Sequence, residues 1–321
     1  MPTERIHIAN SKGGVAKTTF AVNLAAALSV QTKSNFEQVR VLLVDVDPQS
    51  SASGYLLGTD YFYKNISPNS SQTLYHLMKT KMQGPIAASA DDLILGKEIP
   101  SLIFNKPGLQ AYNTLHLLSS HPKLKDIEID VYKSNIKNNK ITLKTKKEPL
   151  YIYALLQDCL KEIESDYDYI ILDSPSNLNF LNLNAMFYAD SILIPLVPDG
   201  ISFYGMELIL NEVKEKFPEF SLYLKKKRTV RGIVYNNWEQ KLNIHSDYFS
   251  KIEVEYNQKW KKNLKEFLDK DFFLFNGPRR SVKIPTAFEQ GRPVDDGSPN
   301  SENFRCFISI AQTILKGWTK K

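Results

Sequence analysis

The chain has 321 residues, 42% hydrophobic and 24% charged, with a formal net charge of +6; such a composition suits a globular chain with a sizeable core. Its two cysteines, Cys159 and Cys306, are far apart and show no C-x-x-C or Cys/His spacing, which excludes a disulfide framework and a cysteine metal site. No apolar run approaches the length of a membrane span, and the first apolar segment runs straight into a Gly-Gly loop with no room for a signal peptide, so a soluble cytoplasmic protein is expected.

In chain order, β-rich runs alternate with helical ones. "RIHIAN" (5–10) reads as a strand and "TTFAVNLAAALSVQT" (18–32) as the helix after it. "VRVLLVDV" (39–46) and "TLHLLSS" (114–120) read as further strands, and "LYIYALLQDCLKEIES" (150–165) as a helix. "YDYIILDS" (167–174), "DSILIPLV" (190–197), "VRGIVYNN" (230–237) and "FFLF" (272–275) complete the strands. Several are apolar almost throughout, as parallel strands covered on both faces should be. The β-α-β alternation predicts an α/β fold, a doubly wound, mostly parallel sheet flanked by helices. Two regions break the rhythm: 60–110, rich in Asn, Ser and Pro, and 133–147, "KSNIKNNKITLKTKK", with six lysines. Both read as insertions on one domain spanning 1–321, with too little apolar content to hold a core of their own.

"NSKGGVAKTTF" (10–20) sits between the first strand and its helix, the context a phosphate-binding loop requires. Gly13 and Gly14 let the backbone turn and approach phosphates, and the following helix N-terminus supplies partial positive charge. Lys17 is placed to reach the β- and γ-phosphates, and Thr18 to join a magnesium shell. The strict G-x-x-x-x-G-K-[ST] pattern is not met, because Ser11 and Ala16 hold the glycine positions. A chance Gly-Gly turn is disfavoured, since strand, lysine, threonine and helix all fall in place.

Carboxylates to hold magnesium and water should stand at strand C-termini. "VLLVDVDPQSSAS" (41–53) brings Asp45 and Asp47, two apart and so on one side of an extended strand. "YDYIILDSPSNLNFLNLNA" (167–185) brings Asp173 before a Ser-Pro turn. One aspartate after a strand is more often a turn or cap residue; three in order at strand ends favour a site.

These motifs, K-G-G-x-x-K-T at 12–18, D-x-D-P-Q at 45–49 and D-x-P-S at 173–176, resemble those of the ParA/MinD family of deviant Walker A ATPases. The resemblance extends through "ADSILIPLVPDGISFYGMELI" (189–209), "VRGIVYNN" and "GPRRSVKIPTAFEQGRPVDD" (277–296), and so covers most of the chain. It implies an ATPase using ATP and Mg²⁺, with the nucleotide held by Lys12, Gly13, Gly14, Val15, Ala16, Lys17, Thr18 and Thr19, and by Asn236 and Pro278 near the base. It implies catalytic roles for Lys12, Lys17 and Asp47: Lys12 would reach the nucleotide of a second copy across a sandwich homodimer, and Asp47 would orient the attacking water. Thr18, Asp45 and Asp173 would serve the metal, with Asp45 also supporting the switch region.

Three readings separate by what the ATP dimer holds. A ParA-like partition or cargo-positioning ATPase would grip nonspecific DNA, be stimulated by a ParB-like or cargo-bound activator, and sit in the cytoplasm on the nucleoid. Basic candidates for DNA are Lys225, Lys226, Lys227 and Arg228, the run "KKNLK" (261–265), and Arg279, Arg280 and Lys283; any such run can also be a solvated face. A MinD-like ATPase would place the stripe Phe304, Phe307, Ile308, Ala311, Ile314, Leu315 and Trp318 on a membrane, although such a stripe more often packs on the sheet. An ATP-locked scaffold without useful turnover is disfavoured by Asp47. A cluster-bearing reductase lacks suitable cysteine spacing, and a tyrosine autokinase would need a tyrosine-rich tail where this chain has "KGWTKK". With the phosphate loop starting at once, operator-specific repression is not expected.

Overall fold

The computed structural model describes residues 2–83, 89–96, 112–137, 150–239, 241–281, 283–294 and 302–319. Parts of both irregular regions, at 84–88, 97–111 and 138–149, lie outside the described residues.

Among the described residues, eight strands form one sheet in the order β3-β4-β2-β5-β1-β6-β7-β8. They are β1 (Glu4–Ile8), β2 (Val41–Asp45), β3 (Ile94–Leu95), β4 (Leu115–Leu118), β5 (Tyr169–Asp173), β6 (Ser191–Leu196), β7 (Thr229–Tyr235) and β8 (Leu268–Asn276). All pairings are parallel except β3 with β4. The expected doubly wound, mostly parallel fold is therefore the observed one. Alternate residues of each strand feed opposite cores: Ile6, Ile8, Val41 and Leu43 pack on one side, Leu42, Val44, Ile170 and Leu172 on the other. Burial on both faces is why these strands are apolar without alternation.

Helix α1 (Lys17–Ser29) is buried on nearly every side, between the sheet and the Glu302–Leu315 helix. The rings of Phe20 and Phe307 lie 5.9 Å apart. Phe304, Phe307 and Ala311 are fully buried, and the Trp318 indole donates to Glu4 at 2.7 Å. Most of the C-terminal apolar stripe is thus core, with Ile308 and Leu315 partly buried. No described helix is long and apolar enough to cross one.

Two expectations need correction. The helix over 150–165 is broken into a 3₁₀ turn (Leu150–Ala154), a short α segment (Leu155–Leu160) and a second 3₁₀ turn (Glu164–Asp166). The Asn184 side chain accepts from Leu156 N at 3.1 Å, capping the α segment from outside. The region 60–110 is also more than a surface excursion in its described part. Leu74, Leu77 and Met78 are fully buried in the core, and β3 adds an edge to the sheet.

From β1 the chain moves to β2 on one side, and from β5 it crosses β1 to β6 on the other. Such a reversal opens a crevice at the strand C-termini, where open α/β sheets bind ligands. Ile8, Asp45 and Asp173 end their strands in register there.

Candidate functional site

The loop from Ala9 to Ala16 joins β1 to α1 and is fastened from beneath. Asn10 Nδ2 donates to Pro195 O (2.8 Å), and Asn10 Oδ1 accepts from Lys12 N (2.8 Å). Ser11 Oγ donates to Gly205 O at 2.7 Å. Gly205 lies in the Gly200–Leu224 helix so close to the loop that a Cβ there would stand 2.8 Å from Lys12 Cβ and 2.7 Å from Asn10 Oδ1. Gly14 takes φ +80° and Ala16, the N-cap of α1, takes φ 60° with no side-chain cap. A Cβ on Gly13 would meet only Ser176 Oγ, at 3.8 Å. The loop therefore leaves open space above its glycines and uncapped α1 amides beside it, which fits a phosphate group.

The two lysines differ in placement. Lys17 is 8% exposed, and its Nζ donates to Lys12 O at 3.0 Å. Burial lowers its pKa, opposed by Asp173 and Asp47. The Lys12 side chain is exposed and has no ion-pair partner among the described residues.

The three aspartates do three different things. Asp173 is fully buried, and among the described residues neither carboxylate oxygen meets a donor at full hydrogen-bonding geometry, the Thr18 hydroxyl being the polar group that approaches it. Burial pushes it up to about 7, with Asp47 adding to the shift and the Thr18 hydroxyl and Lys17 opposing it. A buried carboxylate without a full hydrogen bond, facing a threonine hydroxyl, is a hard-oxygen donor set that fits Mg²⁺. Asp45 is engaged differently. Its Oδ2 accepts from Ser53 N (2.8 Å) and Ser53 Oγ (2.6 Å), and its Oδ1 from Asp47 N (3.2 Å). Both oxygens thus help to hold the turn and helix α2 (Ser51–Leu57) against the end of β2. Asp47 lies past the end of β2, in the turn, so strand alternation does not relate it to Asp45. Its Oδ1 accepts from Gln49 N at 2.9 Å and its carbonyl from Ser120 Oγ at 2.7 Å. It is half-buried, and burial raises its pKa against the Gln49 bond and Lys17.

Ala16, Thr19, Asn236 and Pro278 line one cleft of about 840 Å³, together with Arg280 and Phe288. Asn236 Nδ2 donates to Val15 O at 3.2 Å, tying the end of β7 to the loop, while its buried Oδ1 has no partner. The late segment zips onto β7, with Asn237 N donating to Pro278 O (2.8 Å) and Arg280 N to Trp238 O (3.0 Å).

The basic candidates fall at opposite ends of the sheet. Arg279 lies 4.8 Å over the Trp238 ring, Arg280 pairs with Glu239 at 3.0 Å, and Lys283 opens the Lys283–Glu289 helix, all on the cleft side. Lys225, Lys226 and Lys227 are exposed at the far end of the Gly200–Leu224 helix, where Lys226 pairs with Asp190 at 2.6 Å. Arg228 is a correction: it is 2% exposed, its guanidinium donating to Phe187 O and to Lys226 O (3.2 Å). No DNA phosphate could reach it. Sequence reasoning passed over Asn10, Gly205 and Ser53. Gly205, an isolated glycine in a helical run, carried a usable signal of close backbone approach.

The sheet, the phosphate loop and the strand-end aspartates define a P-loop nucleotide-binding protein with a second lysine in the loop. A family model described as an AAA domain matches residues 3–225. The chain belongs to that family and is a ParA/MinD-family P-loop ATPase. It is 25% identical to the chromosome partitioning protein ParA of Myxococcus xanthus, over 98% of this chain and 89% of that one. The structure of apo McdA from Cyanothece superposes with TM-score 0.67 at 19% identity, covering 97% of this chain and 99% of that one. Cobyrinic acid a,c-diamide synthase from Mycobacterium smegmatis, with bound ADP and magnesium, gives 0.65 at 18% identity, covering 98% and 95%.

Proposed function

We propose that the chain is a ParA-type ATPase of DNA partition or cargo positioning, which closes as a homodimer around ATP and grips DNA without reading sequence. The observation that carries this reading is the pairing of a buried Lys17 with an exposed, unpaired Lys12 in one loop. Lys17 serves the nucleotide of its own chain. Lys12 is free to serve that of a second copy, and a cation delivered across the interface makes association depend on the γ-phosphate. Ile201 and Tyr204, 65% and 61% exposed, stand near the Gly205 contact to Lys12 and offer apolar area to the same partner.

In the cycle, the Gly13–Gly14 backbone, Thr19 and the α1 amides orient the phosphates, while Asn236 and Pro278 flank the base. Asp173 and Thr18 would hold Mg²⁺, which neutralises charge developing on the β- and γ-phosphates. Asp47 orients the attacking water, and a ParB-like or cargo-bound activator completes that geometry. Loss of the γ-phosphate removes the ligand that favours the dimer, and DNA is released. Whole-length similarity to a chromosome partitioning protein supports this choice among the chemistries the fold serves. Co-sedimentation with DNA and with liposomes, under ATP and under ADP, tests it. The reading expects ATP-dependent pelleting with DNA alone, weakening steeply with salt; pelleting with liposomes, or DNA binding indifferent to nucleotide, contradicts it.

A further inference from the structure

Beneath the loop lies a buried polar cluster that the reaction outlined above does not use. His7, in β1, is fully buried, and its Nε2 lies 2.7 Å from the hydroxyl of Ser174, the residue following Asp173. Asn182, in the Phe180–Tyr188 helix, donates from Nδ2 to Ser174 Oγ (3.2 Å) and to Pro175 O (3.0 Å). Ser174 Oγ also lies 3.4 Å from Ile8 O.

Proton placement follows from counting donors. A serine hydroxyl has one proton and accepts through two lone pairs. Asn182 fills one lone pair. If His7 carries its proton on Nε2, it fills the other, and the Ser174 proton goes to Ile8 O. His7 Nδ1, which has no partner, is then only an unfilled acceptor. The opposite tautomer would strand a buried N–H, the rarer orphan. Ser174 is therefore saturated, tied to β1 through His7 and Ile8 and to the next helix through Asn182. Two residues on, Ser176 faces Gly13 of the loop. The cluster clamps Ser174 and Pro175, the start of the short turn that leads from the buried Asp173 carboxylate to the loop.

We propose that His7 and Asn182, acting through the Ser174 hydroxyl, are positioning residues that fix the Asp173–Ser176 segment against the phosphate loop and so set the magnesium affinity of the nucleotide site. The proposal rests on the reading of the loop as an ATP–magnesium site. His7 is no proton carrier here: burial, with help from Lys17, pushes it down to about 3, and it is sealed from solvent.

The test titrates a fluorescent ATP analogue into the full chain, with Mg²⁺ or with EDTA, alongside thermal unfolding without nucleotide. Outer partners of metal ligands typically change metal affinity by about tenfold or more. Ser174→Ala, Asn182→Leu and His7→Leu are expected to lose about that much of the Mg²⁺-dependent gain in affinity, with affinity in EDTA unchanged. His7→Gln, which keeps a donor near Nε2, is expected to retain the gain. Should His7→Leu fail to fold, Ser174→Ala, which removes one oxygen, carries the test. A full Mg²⁺ gain in the folded variants, or equal losses with and without Mg²⁺, overturns the proposal and leaves the nucleotide reading standing. A wild-type chain that binds no nucleotide overturns that reading, and the proposal with it.

Discussion

The ammonium of Lys17 donates to the carbonyl of Lys12 at 3.0 Å, so the buried lysine helps shape the loop from which the exposed one projects. Removing each should therefore fail differently. Lys17→Ala should abolish nucleotide binding, since it removes both the phosphate cation and a loop contact. Lys12→Ala should keep nucleotide binding and lose nucleotide-dependent association and turnover. Equilibrium titration with a fluorescent ATP analogue separates the two; equal loss of binding would remove the distinction.

The main chain of Asp47 is tied to Asp45 and Ser120, while its carboxylate accepts only from Gln49 N among the described residues. Asp47→Ala should bind ATP and fail to hydrolyse it, accumulating the DNA-bound form. Phosphate release under saturating ATP and DNA reads this directly, and turnover equal to wild type would end the role assigned to Asp47.

Gly205 packs against the loop backbone with no room for a methyl group. In Gly205→Ala the new Cβ would stand 2.8 Å from Lys12 Cβ, so loop or helix must shift. Overpacking of this kind costs about 1–3 kcal/mol. Because the strain falls on the loop, nucleotide affinity should drop more than thermal stability. Calorimetry with and without nucleotide makes the comparison.

The Gly200–Leu224 helix meets the loop at Gly205, and at 1.5 Å per residue Lys225–Lys227 lie about 30 Å from that contact. Of the described basic candidates, Arg280 lines the cleft and Arg279 lies next to it. Replacing Arg279 and Arg280 by Ala should weaken ATP-dependent DNA binding and reduce its salt slope by about one per lost phosphate contact. Replacing Lys225 and Lys227 should leave the nucleotide dependence intact. Binding isotherms at several salt concentrations decide which end meets DNA.

His7 folds neutral, with its pKa depressed to about 3 from the usual 6.5, so the unfolded chain binds more protons between those values. Its contribution to stability is thus present above about pH 6.5 and is lost as pH falls toward 3. One such group changes stability by at most about 1.4 kcal/mol per pH unit. The wild type should lose unfolding free energy between pH 6.5 and 4 more steeply than His7→Gln; parallel curves would show that His7 does not titrate on unfolding.

The strands β2, β5 and β6 were legible because burial on both faces leaves an almost unbroken apolar run, whereas the edge strand β8 showed only its FFLF half, its first residues being LDKD. The loop was legible because Lys12, Gly13, Gly14, Lys17 and Thr18 fall close together where a strand gives way to a helix. β3 has two residues, too few for any periodicity to show. Gly205 meets the loop across 194 positions and Asn10 meets Pro195 across 185, and one sequence carries no information on such pairs. The Ser53 bonds to Asp45 were not legible because they form only once α2 folds back over the strand end. Arg228 read as part of a surface run because Phe187, which it covers, arrives from another helix.

The central claim is that ATP is held between two copies of this chain, each lending Lys12 to the other. Size-exclusion chromatography with light scattering, on the full chain saturated with a non-hydrolysable ATP analogue and Mg²⁺, tests it most directly. The account predicts a dimer with the analogue, a monomer with ADP, and a monomer for Lys12→Ala even when occupied. A wild-type chain that stays monomeric with the analogue demonstrably bound would contradict it.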